Sequence, residues 1–85
     1  MSNVDAKIRE VLNVHGRLPV EIDTLSDTED LYESGMTSHA SVNVMLALED
    51  EFEIEFPDSL LNKTTFESIA NIAGALVSLG VASSN

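Results

Sequence analysis

Apolar positions recur along this chain at helical spacing, and no strand-like alternation is long enough to compete. Val4, Ile8, Val11 and Leu12 share one face at about 100° per residue, which predicts a first helix over residues 4–14. Ser2 or Asn3 is placed to cap it, and Gly16 to end it in the left-handed conformation. Residues 17–37 form a long loop that Leu18, Val20, Ile22, Leu25 and Leu31 are spaced to pin onto a core. A second helix is predicted over residues 38–52, capped by Thr37, with Val44, Met45, Leu48 and Phe52 on its core face. Its other face carries His39, Val42, Asn43, Leu46, Glu49, Asp50 and Glu53. Pro57 and Asp58 lead into a short helix over residues 59–62. The last helix opens on Thr64 and Glu67, which have capping-box spacing. It turns Phe66, Ile69, Ala73, Leu76 and Val77 inward and stops at Gly80. The expected fold is all-α: a small antiparallel bundle of three main helices plus one short helix, with a long loop between helices one and two. It forms a single domain over residues 1–85, with its core at about 4–80 and a frayed tail at 81–85.

Composition narrows the function classes. A domain of 85 residues has one marginal core, and with no cysteine neither disulfides nor thiolate metal sites support it. The charged N-terminus has no apolar signal core. The longest nearly uncharged stretch, residues 69–82, is too short to span a bilayer. A cytoplasmic monomer without membrane insertion is expected. Fifteen acids against four bases give a net charge of −11, which repels nucleic acid and attracts basic protein surfaces.

The charge is unevenly distributed. Residues 34–48 hold no Asp, Glu, Lys or Arg, whereas residues 49–58 are densely acidic. Ser38 lies in the neutral window, at the predicted start of helix two and just after the turn expected at Gly35. A hydroxyl after a glycine-containing turn, at the start of an amphipathic helix that ends in acid, suggests a modification site rather than a catalytic nucleophile. Taken alone, it is also an ordinary capping serine. Of the neighbouring hydroxyls, Ser41 falls near the buried face, Ser34 precedes the glycine, and Thr37 is the better cap.

Catalysis is not expected. His39 follows Ser38 directly, so the two side chains diverge by about 100° on a helix, and no oriented acid or nucleophile elbow accompanies them. His15 falls at the end of the apolar side of helix one, as a packed or capping residue, too far from His39 in sequence to suggest a shared metal. The acids at Asp27, Glu29, Asp30 and Glu33 lack calcium-loop spacing.

The run LYESGM at 31–36, Ser38, and above all VMLALEDEFEIEFPD at 44–58 resemble the acyl and peptidyl carrier protein family, across nearly the whole chain. The resemblance implies that Ser38 carries 4′-phosphopantetheine, taken from coenzyme A and attached by a phosphopantetheinyl transferase. The arm's thiol would then hold an acyl or aminoacyl group as a thioester. An acyl- or aminoacyl-loading ligase and downstream transferases with basic surfaces would dock on His39, Val42, Asn43, Leu46, Glu49 and Asp50. The family's usual triplet, Asp-Ser-Leu, is replaced here by Thr37, Ser38 and His39, and Ala40, Ser41 and Asn43 are neutral. These departures point to a specialised pathway: lipid modification, secondary metabolism, or an amino acid charged by a dedicated ligase. The alternative is an unmodified carrier fold acting as an acidic interaction module.

Overall fold

The computed structural model of the protein describes residues 3–81. Three α-helices, α1 (Asn3–Val11), α2 (Ser38–Phe52) and α3 (Ile69–Ser78), enclose one core, and no strand occurs among the described residues. Short 3-10 turns at Ile22–Thr24 and Asp58–Leu60 punctuate the connections, the second standing where the short helix was expected. No helix among the described residues is long and apolar enough to cross a membrane.

Helix α1 carries the predicted stripe, and Val4, Ile8, Val11 and Leu12 are all buried. Its expected cap Ser2 lies outside the described residues, and Asn3 is already the first helical residue. Its end differs from expectation. After Val11 the chain widens into a π-helical turn, Leu12–Gly16, and Arg17 rather than Gly16 takes the left-handed conformation (φ 52°, ψ 39°). A π turn holds one more residue than an α turn, so Gly16 reaches the inward position that regular geometry assigns to His15. Gly16 is buried and His15 is exposed, which corrects the packed placement expected for that histidine. Through this turn α1 packs on α2, and along its length it packs on α3.

The long loop is fastened from two sides. Ile22, Leu25 and Leu31 are buried and Leu18 is partly so, but Val20, expected to pin the loop as well, is exposed, as is Pro19 before it. Arg9 reaches from α1 to donate to the Ile22 carbonyl and to the Asp27 carboxylate, both at 2.8 Å. On the other side the Leu31 amide donates to the Glu67 carbonyl (2.7 Å) and the Ala70 amide to the Asp27 carbonyl (2.8 Å). The carbonyls of a loop buried this way must find partners, and here they find them on other elements.

Those bonds also move the start of α3. Thr64 and Glu67 form a turn instead of a capping box, because the Glu67 carbonyl is committed to Leu31. Ser68 is the cap, accepting from the Asn71 amide at 3.1 Å. Phe66 therefore precedes the helix, packed edge-to-face on Phe56 with ring centroids 5.3 Å apart. With Phe66 off the helix, the inward stripe rotates to Ile69, Ile72, Ala75 and Leu76. Val77 is left exposed and Ala73 partly buried, a correction to the predicted face. Gly80 ends the helix at φ +96°. Val81, expected to begin a frayed tail, packs on the core and donates to the Leu76 carbonyl. The rest of that tail lies outside the described residues.

Two glycines have opposite expected responses to alanine. Gly35 sits at φ +120°, and a Cβ there would approach the Pro19 Cδ to 2.5 Å. Gly35→Ala should therefore cost about 2 kcal/mol and lower the melting temperature by about 10 °C. Gly74, in mid-α3, has nothing within 4 Å of its would-be Cβ. Gly74→Ala should add about 1 kcal/mol from helix propensity. Thermal denaturation by circular dichroism checks both, and equal or same-signed effects would contradict the geometry.

Candidate functional site

Helix α2 spans the predicted residues, and its start shows why Ser38 is available. Thr37 is extended, and its hydroxyl accepts from the Ala40 amide at 3.0 Å while its carbonyl accepts from Ser41. Threonine thus caps the helix with a neutral oxygen where the related triplets place an aspartate. The first turn holds no acid, and its remaining orphan donors are the amides of Ser38 and His39.

Four hydroxyls cluster here and three are engaged. Ser34 donates to the Asp30 carbonyl (3.0 Å), Thr37 is the cap, and the buried Ser41 donates to the Ser38 carbonyl (2.8 Å). Ser38 is exposed, and no residue among those described hydrogen-bonds its hydroxyl. Gly35, in the turn closed by the Met36 amide on the Leu31 carbonyl, brings the chain sharply round into this helix start. Met36 itself is buried and anchors the approach.

Beside Ser38 an open groove of about 430 Å³ runs between α2 and residues 61–66. Tyr32, Val42, Met45, Leu61 and Phe66 make it chiefly apolar, and Asn62 and Lys63 supply its polar edge. The Lys63 ammonium stands 5.0 Å from the centre of the Tyr32 ring, a cation–π contact that fixes one wall. Such a lining fits an elongated arm of amide and methyl groups. The exposed hydroxyl with two free amides beside it fits the phosphodiester end.

The structure divides the residues expected to form one docking patch. Val42, half exposed, lines the Ser38 groove, whereas Asn43, Leu46 and Asp50 line a second groove on the α1 side of α2. His39 is exposed and lines neither. Glu49 is part-buried, and its carboxylate accepts the Phe56 amide at 2.9 Å, so it fastens the chain after α2. Glu53 follows in the left-handed conformation and ends the helix. The wall residues Tyr32, Leu61, Asn62 and Lys63 were not singled out from sequence. They lie 6 residues before Ser38 and more than 20 after it, and only the fold of the two loops brings them to it.

The bases are largely occupied. Lys7 pairs with Glu51 at 2.9 Å and Arg9 with Asp27 at 2.8 Å, and Lys63 lies over Tyr32. The hydrogen bond and charge of Glu51 raise the Lys7 pKa, so the ammonium keeps its charge at neutral pH and its share of this exposed link between α1 and α2 is lost as the pH rises through that raised value. No group of three or more acids, histidines or cysteines is placed to hold a metal among the described residues.

A family model for the phosphopantetheine attachment site matches residues 4–76. The chain is a phosphopantetheine-dependent carrier protein. An aminoacyl carrier protein from Agrobacterium fabrum is 51% identical to it over 69 residues, covering 81% of this chain and 83% of that protein. A chain in the crystal structure of an engineered Bradyrhizobium japonicum glycine:[carrier protein] ligase, complexed with carrier protein from Agrobacterium tumefaciens and ATP, superposes with a TM-score of 0.85. That match has 47% identity over 87% of this chain and 96% of the other. A solution structure of an Agrobacterium tumefaciens protein matches with a TM-score of 0.69 and 48% identity, over 86% of this chain and 88% of that one. The all-helical fold read from sequence is the carrier protein fold, and the carrier's cofactor is covalently attached 4′-phosphopantetheine.

Removal of the cap should be felt locally. Thr37→Ala should destabilise the carrier by about 1 kcal/mol, and Thr37→Asp should restore the loss because its carboxylate also caps. Chemical denaturation resolves both, and a neutral Thr37→Ala would remove the capping role.

Proposed function

We propose that this protein carries an aminoacyl group on an arm attached at Ser38. The observation that carries the site assignment is the exposed, unengaged Ser38 hydroxyl at the mouth of an apolar groove, with the three neighbouring hydroxyls held in hydrogen bonds. A phosphopantetheinyl transferase would direct the Ser38 oxygen onto the β-phosphorus of coenzyme A. The new phosphodiester forms as the bond to 3′,5′-adenosine bisphosphate breaks, and the hydroxyl proton passes to the transferase. Once attached, the arm supplies the thiol that holds the cargo as a thioester.

The chain's own residues do the rest by binding and orientation. The Ser38 and His39 amides face the phosphate end, and the Tyr32, Met45 and Phe66 wall accompanies the arm. An aminoacyl cargo is supported by the likeness to an aminoacyl carrier protein and to a chain from a ligase–carrier complex. The neutral first turn agrees with a carrier loaded by a dedicated ligase, which then passes its cargo to a downstream transferase.

Intact-mass spectrometry tests this reading. Coenzyme A and a phosphopantetheinyl transferase should add one arm to the protein and none to Ser38→Ala. Glycine, ATP and the glycine:[carrier protein] ligase should then add one glycyl group to the modified form. An arm that persists on Ser38→Ala would move the attachment site, and a modified protein that no amino-acid ligase charges would remove the aminoacyl cargo.

A further inference from the structure

The second groove, on the side of α2 away from Ser38, has about 440 Å³ of space and combines features that no packing role explains. Its walls are Val14, from the π turn after α1, and Leu46, from α2. They are 63% and 52% exposed, and both are large apolar side chains facing one gap. Its rim carries the carboxylates of Glu10 and Asp50, neither in an ion pair among the described residues. Single exposed apolar residues are ordinary, but two across a concavity bordered by acids outside any ion pair form a surface complementary to an apolar and basic one.

Local backbone geometry contributes as well. Extra residues in a helical turn are concentrated at functional positions, and this turn is what leaves Val14 and His15 outside while Gly16 packs. The Lys7–Glu51 pair beside the groove ties α1 to α2, so its two walls are held together.

We propose that this α1–α2 groove is the docking site for the amino-acid-loading ligase, which enters it with one large apolar side chain flanked by Arg or Lys. The apolar anchor fits between Val14 and Leu46, and the basic flank meets Glu10 and Asp50. The Ser38 groove lies on the other side of α2, so a ligase seated here leaves the arm uncovered and free to reach the ligase's active site. The proposal rests on the aminoacyl reading above. It adds that helix one, and not helix two alone, is read by the ligase.

The test is glycyl loading of the modified carrier by the engineered Bradyrhizobium japonicum glycine:[carrier protein] ligase, followed by intact mass. Val14→Asp should raise the KM for the carrier about tenfold, the effect of losing one anchoring contact, and leave kcat unchanged. Val14→Ala should give a smaller rise in the same direction. The paired change Glu10→Gln with Asp50→Asn should raise the KM at low salt and flatten its dependence on sodium chloride. The extent of modification by the transferase and the melting temperature, measured on each variant, should match the parent.

A parent carrier that is modified and charged, with Val14→Asp and Val14→Ala at the parental KM, overturns the groove and spares the aminoacyl reading. A fall in kcat at constant KM also overturns it, because docking would then be intact. A parent that is modified but never charged removes the aminoacyl reading and this proposal together.

Discussion

Leu31 is the residue on which the placement of Ser38 most depends. Its side chain is fully buried, its amide donates to Glu67 at 2.7 Å, and its carbonyl receives the Met36 amide that closes the turn into α2. One residue therefore joins the long loop to the approach to α3 and sets the angle at which the chain enters the helix that bears the serine. The neighbouring bonds, Ala70 to Asp27 and Arg9 to Ile22 and Asp27, spread the same constraint over α3 and α1. A loop of this length would otherwise lower the stability of so small a core. Hydrogen bonds to other elements convert it into a wall of the bundle. Tyr32 then stands opposite Ser38 as a consequence of where Leu31 is buried.

The same construction puts two separate grooves on one helix. Val42 and Met45 look toward the groove beside the serine, while Asn43, Leu46 and Asp50 look toward α1. A 15-residue helix can serve both because its faces repeat every three to four residues. Charge follows the division. The first turn of α2 is neutral and its distal half acidic, and two of the four bases are spent on Glu51 and Asp27. The acids outside ion pairs that remain favour basic surfaces, and the first turn around Ser38 contributes no acid of its own.

Much of this was legible along the chain. The α1 stripe, the bounds of α2, Thr37 as its cap and the sharp turn at Gly35 follow from local rules: side-chain periodicity, a hydroxyl able to accept from an amide three residues on, and a backbone that needs positive φ. The start of α3 was not legible, since Thr64 and Glu67 satisfy the capping spacing and Ser68 prevails only because the Glu67 carbonyl is taken by Leu31. The exposure of Val77 follows from that shift of one turn. Of the two places expected for His15, packed or capping, the packed one fails for a similar reason, because periodicity assumes a regular helix and the π turn changes the residue count.

The sequence by itself determined that three helices form, the bounds of α2, the acidic character and the serine, because each is encoded by residues within a few positions of one another. Only the tertiary structure decided what surrounds that serine. Tyr32 from the first loop and Lys63 and Phe66 from the last meet across a groove whose shape depends on hydrogen bonds between distant segments. Likewise, Val14 and Leu46 are 32 positions apart and become one surface only when α1 and α2 pack. Contacts between distant segments arise when the core closes, and no local spacing specifies them.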